Sequence, residues 1–540
     1  MWGDPFSIIY LIFLSLSVCS VRSDFHASPG RWVEPTQGEP WPMPNRRIIG
    51  DGFLLLQPSY FNIETNIICD ILEKAKVRYS MIIEEEAKIG RKLILKERNI
   101  LHQNNQNFIG MLTSLQIHVT GTCEKMPYLY MDEKYELNVT GKIAYLHSPS
   151  IWGALRGLET FSQLLVASGS GKKLAVKNQT IHDEPMLPHR GLLLDTSRHF
   201  FPVPDILSTL DAMSYNKLNV FHWHIIDDNS FPYESLIYPE LSEKGSYHPS
   251  MVYSLNDVKM VIEHARLRGI RVMPEFDSPG HVSSWGLSHP ELLTTCFDSN
   301  GFPDGRLGPI NPSNPLIWPF LRNFLTEAMN LFRDQYIHLG GDEVPFDCWG
   351  SNPEVLSYME QHNMGSDFTR LESAYIAELL KIPASRNISS VVWQEVFDNG
   401  VELTPDTVVH IWTGLWSDKL SKVTKAGHPA LLSACWYLDH VAGGGDWKKY
   451  YYCDPMDFEG SEKDKKLMLG GEACMWSEFV DTHNVHPRIW PRASAAAERL
   501  WSKNVDNINI ASQRLEEHAC RMNRRSIPAQ PPNGPSFCIV

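Results

Sequence analysis

Residues 256–277 read "NDVKMVIEHARLRGIRVMPEFD". The stretch 256–269 places apolar residues at helical spacing and ends on a glycine suited to a helix C-cap. From 269 to 277 the pattern becomes a nearly continuous apolar run closed by an acid, as expected of a strand buried on both faces of a parallel sheet. Runs of the same kind recur: "GLLLD" (191–195), "LNVFHWHII" (218–226), "YIHLGG" (336–341), "SVVWQEV" (390–396), "TVVHIW" (407–412), "ALLSACWYL" (430–438) and "LMLGGEACMW" (467–476). "PDILSTLDAMSYNK" (204–217) is a second clear helix between two of them. Eight strands with intervening helices predict an α/β fold, a (β/α)8 TIM barrel with insertions over residues 181–540. An open doubly wound sheet is the alternative, but no GxGxxG follows the first run.

Barrel active sites sit at the C-terminal strand ends. Here those ends carry Asp195 and Arg198, Asp227 and Asp228, Asp277 and His281, Asp342 and Glu343, Trp393, Trp412, Tyr437 and Asp439, then Trp476 and Glu478. Acids, rings and one arginine share a rim. In "YIHLGGDEV" (336–344) two glycines precede adjacent acids. Successive strand side chains point to opposite faces, so Asp342 and Glu343 reach one site only if the strand ends there.

Residues 24–180 lack this rhythm and predict a small α+β domain. It mixes alternating stretches, "SLQIHVTG" (114–121) and "KYELNVTG" (134–141), with a helix at "SIWGALRGLETFSQLL" (150–165). The boundary falls near "HDEPMLPHRG" (182–191).

Across 540 residues, 43% hydrophobic and 21% charged content is ordinary for a soluble globular protein. A net charge of −14 without a long basic run argues against nucleic-acid binding. Sixteen tryptophans suit core filling, or a pocket whose rings pack on sugar C–H faces. Residues 1–23 hold an apolar segment, Ile8 to Val18, too short for a membrane span and fitting a signal peptide. Asp4, and the lack of Lys or Arg before that segment, depart from the usual pattern. No later segment has ~20 uninterrupted apolar residues. Sequons at Asn138, Asn178 and Asn387 agree with the secretory pathway, towards either lysosome or exterior; proline disqualifies Asn311-Pro-Ser.

Losing Cys19 with the signal would leave nine of the ten cysteines. Spacing cannot fix connectivity; the expected pairs are Cys69–Cys123, Cys296–Cys348 and Cys520–Cys538. No CxxC or Cys/His cluster suggests zinc, and neither metal nor cofactor is expected.

Convergent acids and rings point to glycoside hydrolysis, which usually needs two carboxyls roughly 5–9.5 Å apart across the scissile bond. Adjacent Asp342 and Glu343 cannot easily bracket it. Either another rim acid, Asp227 or Glu478, is the nucleophile, or the substrate supplies its own. A 2-acetamido sugar can do so: its carbonyl oxygen attacks the anomeric carbon and forms an oxazolinium ion. The enzyme then needs one acid/base and one carboxylate for the acetamide N–H.

"RGLLLDTSRHF", "KLNVFHWHIIDDNSFPYES", "PEFDSPGH", "HLGGDEV", "VVWQEVFDNG", "LLSACWYLD" and "GGEACMWSEFVD" together closely resemble the lysosomal-type β-N-acetylhexosaminidases of glycoside hydrolase family twenty. The resemblance runs from about residue 30 to Cys538. It implies substrate-assisted catalysis, for which this family is a known exception among glycosidases. It implies Glu343 as acid/base, Asp342 as the residue orienting the acetamide, and Tyr437 as donor to the acetamide oxygen. Trp393, Trp412 and Trp476 box in the acetamide and sugar face, while Arg198 and Glu478 hold outer hydroxyls. Asp227 and His281 resemble a relay supporting Glu343, and Asp439 contacts a hydroxyl. A homodimer, glycan substrates and an acidic working pH are further implications.

Competing readings attach to particular residues. His222 and His224 share a strand face, as in metal-dependent hydrolases, but nothing completes such a site; core or supporting roles fit them better. Arg190 and Asp195 are read as structural ion-pair partners, and Glu275 and Glu472 are left unassigned. A catalytically weak, glycan-binding relative is the non-enzyme alternative; intact Asp342, Glu343 and Tyr437 oppose it. Two departures from the family stand out. Asp439-His440 replaces the Asn-Arg pair of the subunit type that accepts anionic substrates, implying a preference for neutral ones. Cys435 and Cys453 are unexpected; their pairing would leave Cys474 a buried free thiol.

Overall fold

The computed structural model describes residues 30–93, 105–168, 172–440, 444–505 and 507–539. The segment read as a signal peptide lies outside them.

Eight parallel strands close into a barrel: β1 (His189–Asp195), β2 (Val220–His224), β3 (Arg271–Glu275), β4 (Tyr336–His338), β5 (Ser389–Trp393), β6 (Val408–Ile411), β7 (Ala430–Leu432) and β8 (Met468–Met475). β8 returns to β1, pairing Met475 with Leu194 and Cys474 with Leu193. Nearly every strand residue is buried, which explains the continuous apolar runs.

The helix read between residues 256 and 269 spans Leu255–Arg266, capped by Ser254 and Asp257 in a reciprocal capping box. Val258, Val261 and Ala265 form its buried stripe.

Strands are shorter than the apolar runs that announced them. "SVVWQEV" divides after Trp393, where Gln394–Asp398 turns into a helix. "ALLSACWYL" contributes only Ala430–Leu432, and Tyr437 rejoins the sheet through a single bridge to Cys474. Of the surplus apolar residues, Val396, Trp436 and Leu438 join the main core, while Tyr437 joins the ring cluster.

Before the barrel lies an eight-stranded mixed sheet running from Arg46 to Asp183. Helices Asp70–Leu93 and Ile151–Gln163 share one apolar core with it. Buried Glu133 ties this unit to the barrel, meeting Arg156 at 2.8 Å and Arg190 at 2.6 Å. Removing one partner of such a buried pair costs about 3–5 kcal/mol.

Residues 30–45, ahead of the first strand of that sheet, also contact the barrel's last helices. Trp41 is fully buried there, donates to the Ser494 carbonyl at 2.8 Å and lies under the Arg514 guanidinium. The structure contains disulfides Cys69–Cys123, Cys296–Cys348 and Cys520–Cys538, and also Cys435–Cys453. Cys474 is a buried free thiol. No helix among the described residues is long and apolar enough to cross a membrane.

Candidate active site

β4 ends at His338, and Gly340 and Gly341 follow with φ of +68° and +96°. The left-handed pair turns the chain so that two successive acids meet one mouth. It also admits a neighbour: a Cβ on Gly340 would lie 1.7 Å from Asp277 Oδ1, and the Gly341 N–H donates to that oxygen at 2.9 Å. Glu343 has φ +50° and His281 +56°, values uncommon outside glycine. Strain of this kind collects at functional sites.

His281 joins the acids. Its Nε2 lies 3.8 Å from Glu343 Oε2 and 3.9 Å from Asp342 Oδ2. Its Nδ1 faces Asp227 Oδ1 at 3.2 Å. Burial opposes the imidazolium, but the Asp227 hydrogen bond and surrounding acids raise His281 to about 11. Asp227 is buried yet held well below the usual carboxylate range by His224 and His281. Burial, then the charge of Asp342, pushes the Asp277 carboxyl well above that range.

Opposite the acids, Trp393, Trp412, Tyr437 and Trp476 gather around Leu193 and Cys474. Tyr437 stacks on Trp412 at 6.0 Å, and Trp393 lies 6.1 Å from Trp476. Burial raises the Tyr437 phenol well above its ordinary value, so it remains a hydrogen-bond donor. The Trp412 indole donates to Glu395 at 2.9 Å. Burial, aided by Asp342's charge, raises Glu395 to about 7.

Arg198 lies 3.2 Å from Asp195 Oδ2 and 2.9 Å from Asp227 Oδ2, with Trp476 5.2 Å from its guanidinium carbon. The expected structural pair of Arg190 with Asp195 is therefore incorrect: Arg190 serves Glu133, and Asp195 orients Arg198. Glu478 is exposed at the rim and reaches Arg198 only electrostatically. Asp439 is partly buried, 3.6 Å from His440.

Three buried polar atoms here have no hydrogen-bond partner in the protein: Asp342 Oδ1, His281 Nε2 and Asp439 Oδ1. Such orphans are rare in folded proteins and call for an explanation; together at a barrel mouth they describe a polar ligand's contacts. As for a metal, His222 lies 2.7 Å from Glu472 and 3.0 Å from Glu275, while His224 bonds Glu275 at 2.5 Å and Asp227 at 2.7 Å. Both imidazoles already face carboxylates with both nitrogens.

Glu395 and the partners of Arg198 escaped the sequence reading, and Asp277 was read only as a rim acid, without its place beside Asp342. Glu395 carried one usable signal: it lies two residues beyond Trp393 on the same rim.

Residues 187–504 match the model of the glycosyl hydrolase family 20 catalytic domain, and 40–164 match that of a domain described as "beta-acetyl hexosaminidase like". The chain belongs to glycosyl hydrolase family 20. It is thus a glycoside hydrolase whose catalytic unit is the barrel. The human β-hexosaminidase subunit beta is 47% identical over 506 residues, covering 91% of this chain and 88% of that protein. The bovine subunit alpha is 48% identical over 469 residues, covering 86% and 87%. Among solved structures, a family 20 chitobiase from Flavobacterium johnsoniae superposes with a TM-score of 0.77 at 30% identity, covering 90% of this chain and 73% of that one.

Proposed function

We propose that the protein is an exo-acting β-N-acetylhexosaminidase that removes terminal, non-reducing β-linked GlcNAc or GalNAc with retention of configuration. The observation that carries this is the pair of adjacent acids at the end of β4, both within 4 Å of His281 and facing a wall of rings.

Glu343 gives its proton to the leaving oxygen as the C1–O bond breaks, and the acetamide oxygen closes on C1. Asp342 accepts the acetamide N–H through its unpartnered Oδ1 and opposes the positive charge of the oxazolinium. Tyr437 donates to the acetamide oxygen and holds it in line, between the Trp393, Trp412 and Trp476 rings. Glu343, now a carboxylate, takes a proton from the water that opens the oxazolinium, which restores the original configuration. The His281 cation favours the negative charge Glu343 acquires in the first step. Arg198 and Glu478, with Asp439, hold the sugar's outer hydroxyls, which limits the enzyme to chain ends.

Asp439 beside His440 supports a preference for neutral over sulfated or sialylated substrates, because an acid placed where an anionic group would sit disfavours that anion. Glycosylation at Asn138, Asn178 and Asn387, none of them buried, together with passage through the secretory pathway and a homodimer, completes the reading. The test compares an aryl 2-acetamido-2-deoxy-β-glucoside with the plain aryl β-glucoside. Fast cleavage of the first alone is expected; comparable rates would make Asp227 or Glu478 a protein nucleophile.

A further inference from the structure

One buried carboxylate connects the two halves of the site. Glu275, at the end of β3 and fully buried, receives the Trp393 indole N–H on Oε1 at 2.8 Å. Its Oε2 receives His224 Nδ1 at 2.5 Å, and His224 Nε2 in turn meets Asp227 Oδ2 at 2.7 Å. Asp227 carries His281, and His281 faces Glu343. A line of hydrogen bonds therefore runs from the ring wall to His281, whose Nε2 stands 3.8 Å from the proposed acid.

We propose that His224 and Glu275 are positioning residues for the reaction, fixing the Glu343 arm and the Trp393 ring from a single shared anchor. The inference rests on Glu343 being the general acid. Two observations support it beyond the bonds themselves. First, Asp227 has no other imidazole besides His224 and His281 among its described ion-pair partners; Arg198 is the third group. Losing His224 leaves an inward Asp227 oxygen with Arg198 alone, free to follow that side chain towards the rim. Second, Glu275 is enclosed by two further imidazoles, with His222 Nε2 3.0 Å from its Oε2 and His338 Nδ1 3.1 Å from its Oε1. Glu275 can shift neither towards His224 nor towards Trp393 without losing one of them. Placement of the acid and of the acetamide pocket is thereby set by one rigid point, which suits a reaction in which proton transfer and acetamide attack must coincide.

An acid that is merely mispositioned has a specific kinetic signature. Leaving groups that need no proton are spared, while poor leaving groups suffer the full loss of general acid catalysis, about 10²–10⁴-fold. The experiment measures kcat/KM on an unactivated β-linked N-acetylglucosaminyl disaccharide and on the 2,4-dinitrophenyl glycoside. It uses wild type, Glu343→Gln, His224→Gln, Glu275→Gln and Trp393→Phe, each checked by thermal unfolding.

His224→Gln and Glu275→Gln are expected to lose at least about tenfold more on the disaccharide than on the activated glycoside. Trp393→Phe retains a ring and removes only the indole N–H, so it remains informative should the buried-network variants fail to fold. It is expected to show the same bias although its ring does not touch Glu343. Equal losses on both substrates in all three variants would overturn the proposal. If Glu343→Gln itself shows no bias, the assignment of the acid has failed instead, and the two failures are distinguished.

Discussion

Replacing Gly340 with alanine isolates what the glycine pair does. At φ +68° an alanine costs about 1–2 kcal/mol in the left-handed region. The added Cβ would sit 1.7 Å from Asp277 Oδ1, so the buried carboxyl must move and surrender the 2.9 Å bond from the Gly341 N–H. Leaving such a buried group unpaired costs a further ~1–3 kcal/mol. Gly340→Ala should therefore destabilise the fold by about 2–5 kcal/mol. Asp277 also sits against Asp342, with carboxyl oxygens within 4.8 Å, so its displacement moves the carboxylate meant for the acetamide. A misplacement of about 1 Å lowers the rate by about 10²-fold.

Gly427 provides the control. It has φ +95°, yet an added Cβ meets nothing within 4 Å. Gly427→Ala should cost only the backbone strain, about 1–2 kcal/mol, with full activity. Urea unfolding and kcat/KM on an aryl N-acetylglucosaminide measure both effects. The reasoning is refuted if the two variants match in stability and in rate.

Glu343→Gln should lower kcat/KM on a disaccharide by about 10²–10⁴-fold while leaving thermal stability nearly unchanged, because the side chain is 60% exposed; a melting temperature that falls with activity would mean a structural role. His222 gives a pH dependence. Burial opposes its charge, but Glu472 and Glu275 raise it from an ordinary 6.5 to about 9. The charged form favours the fold, so this contribution is complete below pH 6.5 and fades as pH rises through 9, on the order of 3 kcal/mol in all. Urea titrations across that window should show the decline in wild type and a flatter curve in His222→Asn; parallel curves would contradict it. Finally, a 6-sulfated aryl glucosaminide should be cleaved more slowly than its neutral counterpart, and Asp439→Asn should narrow the gap. An unchanged ratio removes Asp439 from specificity.

The barrel was legible because burial on both faces leaves strand cores such as "LLL" (192–194) and "ALL" (430–432) wholly apolar, a pattern independent of long-range partners. Strand ends were less legible: in "SVVWQEV" the apolar character continues past Trp393 into a helix, since both wall and mouth exclude water. The rim acids could be read from their phase at the strand ends. Their partners could not. His222 meets Glu472 across 250 residues of sequence, and Trp393 meets Glu275 across 118, so no spacing rule connects them. Arg198 found Asp195 three residues away, a pairing hidden by the assumption that Asp195 served Arg190. Asp277 was visible as a strand-end acid, but the upward shift of its carboxyl arises from burial and from the neighbouring charge of Asp342, neither of which the sequence shows.

The central claim is that the substrate, not the protein, supplies the nucleophile. Its most direct test is a series of aryl glucosaminides whose N-acetyl group carries zero to three fluorines. Fluorine withdraws electron density from the amide oxygen and leaves the protein untouched. The account predicts that kcat/KM falls steeply with each fluorine in wild type. A flat series would place the attack on a carboxylate of the enzyme and contradict it.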